Sequence, residues 1–184
     1  MEDQKRQLTQ EMLTDGLTGV ANRRHFNESI TAQFDSAHET GVPLSLLFMD
    51  VDHFKKINDT YGHQMGDRVF ADLATALKER VPQNAVVARY GGEEFAIVLP
   101  QTDRTAAVQL AESIRQRIRE LDIKTDEGQQ IAVTISIGVA ICSCGMFASS
   151  DQMIKAADQD IYVAKVSGRN CTRIFSPTTG KQSA

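Results

Sequence analysis

Hydrophobic residues along this chain recur with two different periods, and each period predicts a different kind of element. Spacings of three and four residues predict amphipathic helices, whereas short and nearly continuous apolar runs predict buried strands. The helical stripes are Phe26, Ile30, Phe34 and Ala37; Val69, Phe70, Leu73 and Leu77; Ala107, Leu110, Ala111, Ile114, Ile118 and Leu121; and Met153, Ala157, Ile161 and Ala164. The strand-like runs are LSLLFMDV, VPQNAVVARY, FAIVLP, IAVTISIGVAIC and CTRIF. The predicted order of elements is therefore α-β-α-β-β-α-β-α-β.

This order favours an α+β fold. A central sheet that contains an antiparallel hairpin and is covered by helices fits the α+β or split βαβ class. We expect one domain over residues 14–176. Residues 1–13 are polar and helix-prone, and we interpret them as the end of a connecting helix from an absent upstream region. The small, polar tail 177–184 is expected to be disordered.

The predicted hairpin carries an unusual concentration of charge. Gly91 and Gly92 stand between its two strands, where a tight turn would let glycine adopt a positive φ at little cost. Glu93 and Glu94 follow directly and crowd two carboxylates at this turn. Such an arrangement fits either an ordinary solvated hairpin or a site for metal and phosphate. The stretch alone leaves both interpretations open.

Composition narrows the classes of function. A chain of 184 residues suits one domain with a sizeable core. The formal net charge of −4 argues against a general affinity for nucleic acid or for an anionic membrane. A bound polyanion would then need local cations or a divalent metal. No apolar run approaches the roughly 20 residues that span a bilayer, and no signal peptide is recognisable, so we expect a cytoplasmic domain without direct membrane contact.

The three cysteines, Cys142, Cys144 and Cys171, include no CxxC pair. A sparse, odd set of this kind favours a reducing compartment and inert thiols over a disulfide framework. A zinc half-site at Cys142 and Cys144 would need further ligands, and none cluster nearby in the sequence.

Two aspartates end the first predicted strand. Asp50 and Asp52 share a parity along the strand, so both can be buried only if both have partners. Asp52 is interpreted as the N-cap of a short helix HFKKIN. Asp50 has no such structural explanation. Ser136 and Gly138, in TISIGVA, are interpreted as residues that permit close packing.

The loop after the first strand can meet the hairpin turn at one edge of the predicted sheet. Asp50 and Glu93 would then converge as the hard oxygen ligands that Mg²⁺ prefers. Two metals roughly 3.5–4 Å apart could polarise a phosphoryl oxygen and activate a hydroxyl. Lys165 and Arg169, four residues apart, could both reach one anion, although a lysine that complements a helix dipole explains the pair as well. Gly168 is expected to end that helix before Arg169.

Taken together, these segments resemble the GGDEF domain of the diguanylate cyclase family. The motifs that carry the resemblance are DGLTGVANRR (Asp15 to Arg24), FMDVDHFKKINDTYGHQMGD (Phe48 to Asp67), RYGGEEF (Arg89 to Phe95), SIGVA (Ser136 to Ala140) and ADQDIYVAKVSGRN (Ala156 to Asn170). They occur in the family's order and extend over nearly the whole chain. The resemblance implies a palm-like mixed central sheet of the nucleotide cyclase type. It also implies the condensation of two GTP into cyclic di-GMP and two pyrophosphates.

The resemblance further implies a role for particular residues. The metal ligands would be Asp50, the Val51 carbonyl, Glu93 and Glu94, with Mg²⁺ or Mn²⁺, two ions in each half-site. Asp50, Glu93 and Glu94 would be catalytic, and Glu94 would help to deprotonate the ribose 3′-hydroxyl. Asn58 and Asp67 would recognise guanine. The phosphates would be bound by His53, Phe54, Lys55, Gly91, Gly92, Lys165 and Arg169.

Each such domain holds one GTP, so turnover would require a second GGDEF domain that faces the first. The expected partners are therefore GTP, a second copy of the domain and an upstream sensor, with no nucleic acid. One departure concerns product feedback: the inhibitory Arg-x-x-Asp of many family members aligns with Pro82 and Ala85. A non-catalytic module that binds GTP or cyclic di-GMP is the alternative, and an intramolecular mononucleotide cyclase is a third possibility.

Overall fold

The computed structural model describes residues 13–143 and 145–176. Its elements follow one another as α1 (Arg23–Thr40), β1 (Leu44–Val51), α2 (Phe54–Tyr61), α3 (His63–Arg80), β2 (Val86–Arg89), β3 (Glu94–Pro100), α4 (Arg104–Arg119), β4 (Ile135–Cys142), α5 (Ser150–Val166) and β5 (Thr172–Ile174). The expected connecting helix, the tail and Cys144 lie outside the described residues. None of the helices described is both long enough and apolar enough to cross a bilayer.

The five strands form one mixed sheet in the order β2-β3-β1-β4-β5. Strand β1 lies at the centre and runs antiparallel to both β3 and β4, whereas β4 and β5 pair in parallel. Strands β2 and β3 form the expected antiparallel hairpin. The predicted α+β class, with a mixed sheet and an antiparallel hairpin, is confirmed.

Helices cover both faces of this sheet, and β1 therefore buries side chains on each side. All eight residues of β1 are buried. Leu47, Met49 and Val51 pack with α3 and α4, whereas Leu46 and Phe48 pack with α1 and α5. A strand that is buried on both faces reads as a continuous apolar run, which is why LSLLFMDV shows no alternation. The polar end of β1 therefore emerges from the middle of a three-layer structure.

The predicted order of elements misses one helix. A short helix, α2, is separated from α3 by Gly62, whose φ of +86° interrupts the helical backbone between them. The sequence suggested a short helix at HFKKIN but not that it would be a distinct element in the order.

Close packing at Gly138 was predicted and is confirmed. A Cβ built at this position would collide with the carbonyl oxygen of Ala157, on α5. The absence of a side chain therefore lets α5 lie directly on β4. Helix α5 also carries Lys165, near its C-terminal end.

Candidate active site

Asp50 occupies the centre of the candidate site. The strand register places it beside Glu94 on β3 and beside Ser136 on β4. It shares the face of the sheet that packs against α5, and its Oδ2 lies 2.8 Å from Lys165 Nζ. Only 5% of Asp50 is exposed. The carboxylate is therefore buried with one cationic partner.

Negative charge around Asp50 exceeds what Lys165 balances. Burial is the largest influence on the Asp50 carboxyl and raises its pKa. The hydrogen bond and the charge of Lys165 oppose this, but the nearby carboxylates of Glu93 and Asp52 raise the pKa further, and the net shift is upward. A site in this state favours the arrival of additional positive charge.

The hairpin turn brings its two glutamates to the end of β1. The amide of Val51 donates to the Glu93 carbonyl at 3.1 Å, and the amide of Tyr90 donates to the Glu94 carbonyl at 2.9 Å. The first bond attaches the turn to the strand that carries Asp50, and the second closes the hairpin itself. Asp50 and Glu93 thus converge, as the sequence predicted.

The glycines of this turn do not serve the purpose that was expected of them. Neither Gly91 nor Gly92 adopts a positive φ, so that prediction is wrong. Gly91 matters for space instead, because a Cβ there would lie 2.5 Å from Glu94 Oε2. A Cβ at Gly92 would meet nothing within 4 Å. The carboxylate of Glu94 therefore folds back over the turn at a place that only glycine leaves open.

Glu94 has the electrostatic properties of a proton acceptor. Burial raises the pKa of its carboxyl, and the charges of Asp50 and of Asp158, on α5, raise it further. Glu94 also lines a cavity of about 580 Å³ between α1 and α5, together with Phe48 and Tyr90. A raised pKa makes this carboxylate a stronger base than an exposed glutamate.

Sequence reasoning missed Arg89, which braces the turn. Its Nη2 donates to the Gly92 carbonyl at 3.1 Å and its Nε to the Gly91 carbonyl at 3.3 Å. The same guanidinium forms an ion pair with Asp15 at 3.3 Å and lies 4.7 Å from the centre of the Phe70 ring. An arginine two residues before the first glycine of the turn was the available signal.

The amides that were expected to bind phosphate lie where α2 begins. His53 has a φ of +56° and precedes the first helical residue, Phe54. The amides of His53, Phe54 and Lys55 donate no hydrogen bond to any other described residue. Free N–H groups at a helix N-terminus attract anions. They lie one to three residues after Asp52, at the end of β1.

Asp52 does not cap this helix, so that interpretation is wrong. Its Oδ1 accepts from Ser136 Oγ at 2.7 Å, and its Oδ2 accepts from Thr134 Oγ1 at 2.7 Å and from the Asn170 amide at 2.9 Å. Only 4% of Asp52 is exposed. Three donors in the interior satisfy this buried carboxylate better than one exposed capping bond would. Ser136, interpreted as a packing residue, is in fact a hydrogen-bond donor to this carboxylate.

The two predicted phosphate-binding cations lie at the end of α5. Lys165 is in the last turn, which ends at Val166, and Gly168 adopts a φ of +110°. The prediction that Gly168 breaks the helix before Arg169 is confirmed. Arg169 is exposed on the following turn, whereas Lys165 is held by Asp50.

The two predicted guanine-binding residues lie on adjacent helices. Asn58 is in α2 and Asp67 is in α3. Gly66 allows them to approach, because a Cβ at this position would collide with the Asn58 side-chain oxygen. The Asn58 amide therefore lies against α3 immediately before the exposed Asp67. The structure thus places Asn58 beside the residue that precedes Asp67.

The residues at the strand end fit a magnesium site that is completed by substrate. No group of three or more His, Cys, Asp or Glu side chains among the described residues is arranged to hold a metal by itself. Magnesium, however, is commonly bound by one or two carboxylates plus water and substrate phosphates. Asp50, Glu93 and the Val51 carbonyl offer hard oxygen donors of this kind. The crowding that raises the Asp50 pKa would be relieved by a cation.

Comparison with known proteins identifies the family. Residues 12–171 match the family described as "Diguanylate cyclase, GGDEF domain". The chain is 40% identical to the response regulator PleD of Caulobacter vibrioides over 159 residues and 38% identical to the diguanylate cyclase DosC of Escherichia coli over 161 residues. These alignments cover 86% and 88% of this chain but 35% of each relative. The chain thus spans about a third of the length of these curated relatives.

A solved structure is similar over almost the whole domain. The coiled coil and GGDEF domain of DgcB from Caulobacter crescentus, in complex with c-di-GMP, has a TM-score of 0.89 and 31% identity. The alignment covers 94% of this chain and 91% of that one. This chain belongs to the GGDEF diguanylate cyclase family, and its mixed sheet is the palm-like sheet of nucleotide cyclases.

Proposed function

We propose that this domain is a diguanylate cyclase that condenses two GTP into cyclic di-GMP and two pyrophosphates. The observation that carries the proposal is the buried Asp50, which shares the strand end with Glu93 and Glu94 and is paired with Lys165. The unbonded amides of residues 53–55 lie next to it. Buried carboxylates beside an anion-binding turn suit phosphoryl transfer, in which positioning and charge stabilisation supply most of the catalysis.

Nucleotide binding divides between two parts of the domain. Asn58 and Asp67 bind the guanine, and the carboxylate of Asp67 accepts hydrogen bonds from N1–H and N2–H, donors that adenine does not present in this pattern. The amides of residues 53–55 and the hairpin turn at Gly91 and Gly92 hold the phosphates. Lys165 and Arg169 neutralise the terminal phosphates in an otherwise acidic domain.

The chemical step is a displacement at the α-phosphorus. The 3′-oxygen of one GTP attacks the α-phosphorus of the GTP held by the facing domain, and pyrophosphate leaves from that phosphorus. Glu94, with its raised pKa, accepts the proton of the hydroxyl. A second, equivalent displacement closes the ring. Mg²⁺ or Mn²⁺ bound at Asp50, Val51, Glu93 and Glu94 would supply charge stabilisation and acidify the attacking hydroxyl.

The facing nucleotide makes activity depend on dimerisation. One domain holds one GTP, so a monomer binds substrate but completes no reaction. Whatever brings two domains together, including an upstream sensor in a longer protein, would activate synthesis. Feedback through an Arg-x-x-Asp site is not expected, because Pro82 and Ala85 form a tight turn without charged side chains, with the Ala85 amide donating to the Pro82 carbonyl at 3.0 Å.

The test is synthesis of cyclic di-GMP over a range of protein concentrations. We expect the rate per domain to rise with concentration and the double variant Asp50→Ala, Glu93→Ala to lose at least about a hundredfold. The double variant Asp35→Ala, Glu39→Ala is the matched control, because it removes the same two side-chain types from an exposed face of α1.

A different result would favour the binding-module alternative. In that case the wild-type domain would bind GTP or cyclic di-GMP, yet form no product at high concentration or when fused to a strong dimerisation domain. An intramolecular mononucleotide cyclase would instead yield cyclic GMP at a rate per domain independent of concentration. Chromatography that resolves the nucleotides distinguishes these outcomes.

A further inference from the structure

The turn that follows α5 has an unfavourable backbone conformation. Arg169 and Asn170 are consecutive non-glycine residues with φ of +62° and +44°. Asparagine tolerates the left-handed region, but arginine rarely adopts it. Such conformations persist when surrounding groups hold them, and they concentrate at functional sites. The question is therefore which groups hold this turn.

Asn170 is held from two sides. Its amide donates to the buried Asp52 Oδ2 at 2.9 Å. Its side-chain Oδ1 accepts from Arg115 Nη1, on α4, at 2.9 Å. Arg115 is itself oriented, because its Nε and Nη2 donate to Glu112 at 3.0 and 2.9 Å and only 15% of its side chain is exposed. Both partners are charged, and charge-assisted bonds of this kind are stronger than neutral ones.

These bonds connect two parts of the candidate site that are far apart in sequence. Asp52 immediately precedes His53, where the three unbonded amides begin. Asn170 immediately follows Arg169. The bond between Asp52 and Asn170 therefore joins the residue that precedes the three amides to the residue that follows Arg169. Arg169 is on the surface, and its own amide donates to the Ala164 carbonyl of α5 at 3.0 Å, so its backbone lies between that bond and the bonds of Asn170.

We infer that Asn170 is a positioning residue, clamped by Asp52 and Arg115, that sets Arg169 against the terminal phosphates of the bound nucleotide. This inference rests on the proposed function. The clamp acts on the nucleotide only through Arg169. It should therefore affect nucleotides that have terminal phosphates and leave guanine recognition at Asn58 and Asp67 unchanged.

The test compares the affinity for two nucleotides. The probe 3′-deoxy-GTP carries the terminal phosphates but lacks the attacking hydroxyl, so it binds without turning over. GMP carries the base and one phosphate only. Asn170→Gly removes the side-chain bond to Arg115, leaving the longer bond of 3.4 Å from Arg115 Nη1 to the backbone carbonyl, while glycine keeps the left-handed φ accessible. Arg115→Met removes the same bond from the other side, and Arg117→Met is its control on α4, because Arg117 pairs with Glu79 instead.

We expect Asn170→Gly and Arg115→Met to weaken 3′-deoxy-GTP binding by about three- to tenfold, and Arg169→Ala by about tenfold or more. The affinity of the clamp variants for GMP should stay near wild type. The control variant Arg117→Met should keep both the wild-type affinities and the wild-type thermal midpoint. The decisive measurement is a double-variant cycle. If Asn170 acts through Arg169, then Asn170→Gly should cost almost nothing further once Arg169 is alanine.

Four results would overturn the inference. Equal losses for 3′-deoxy-GTP and GMP, or losses that add to that of Arg169→Ala, would mean that the clamp only maintains the fold. Wild-type affinity in both clamp variants, in a protein that makes cyclic di-GMP, would overturn the inference alone. A wild-type domain that binds no 3′-deoxy-GTP with Mg²⁺ would overturn the proposed function and the inference with it.

Discussion

Replacement of Gly91 by alanine should displace the carboxylate of Glu94 without changing the stability of the domain. A Cβ at residue 91 would lie 2.5 Å from Glu94 Oε2, whereas an ordinary contact needs about 3.4 Å. The carboxylate would therefore retreat by about 0.9 Å. Because the obstructed atom is the end of a flexible side chain, the backbone has no reason to move. Misplacement of a reacting group by about 1 Å can cost about a hundredfold in rate.

The matched variant Gly92→Ala makes this prediction specific. Residue 92 belongs to the same turn and has no positive φ, but its Cβ would meet nothing within 4 Å. Both variants reduce the flexibility of the unfolded chain equally, so any stabilisation from that source is shared. We expect kcat for cyclic di-GMP to fall by up to about a hundredfold in Gly91→Ala and by less than about threefold in Gly92→Ala.

Steady-state kinetics on a dimerised protein, with thermal unfolding alongside, provide the assay. Equal loss of kcat in both variants would show that turn flexibility, not space for Glu94, is what matters. Full activity in Gly91→Ala would show that the position of the Glu94 carboxylate does not limit catalysis. Either result would refute the reasoning, whereas a loss restricted to residue 91 supports it.

Three further predictions concern stability. Gly138→Ala should lower the free energy of unfolding by about 1–3 kcal/mol in denaturant titrations, because its Cβ meets the backbone of Ala157; a neutral effect would contradict the close packing. Asp160→Ala should raise the free energy of unfolding by about 0.5–1 kcal/mol and the thermal midpoint with it. Oδ2 of Asp160 is buried without a hydrogen-bond partner among the described residues, and alanine favours the helix. Burial raises the pKa of the Asp160 carboxyl, although the charge of Arg173 opposes this shift. An unchanged thermal midpoint in the variant would show that the carboxylate costs the folded state nothing. Glu94→Gln should stabilise the domain at pH 7 and not at pH 4. Folding raises the pKa of the Glu94 carboxyl, so the folded state binds the proton more tightly than the unfolded state does. The stability of the wild type therefore falls as pH rises from the unfolded pKa through the folded pKa. A benefit of equal size at both pH values would exclude ionisation as the cause.

Local patterns were informative wherever the relevant interaction lies within a few residues. The burial of a helix face or of a strand follows from its own periodicity, which is why the helices, the hairpin and the central strand were predictable. Asp50 could be picked out because a carboxylate that ends an apolar run has no local explanation. Its meeting with Glu93 followed from the hairpin that carries Glu93, since adjacent strands bring their ends together.

Other assignments failed because the deciding partner is remote in the chain. Asp52 stands before a short helix and has the local features of an N-cap. Its actual donors, Thr134, Ser136 and Asn170, lie 82, 84 and 118 residues away. A local motif competes for a side chain with everything that the fold brings near it. Here three buried donors outweighed one helix end that is open to water.

The same distinction applies to the candidate site as a whole. The motifs alone pointed to the family, the fold class and the residue types that could bind metal and nucleotide, because the resemblance rests on runs of neighbouring residues. Only the folded chain showed that Gly91 provides space for a carboxylate and that Lys165 pairs with Asp50. It alone showed that the Asn170 amide bonds to the buried Asp52. Those properties are distances between side chains on different elements, and the packing of the elements sets them.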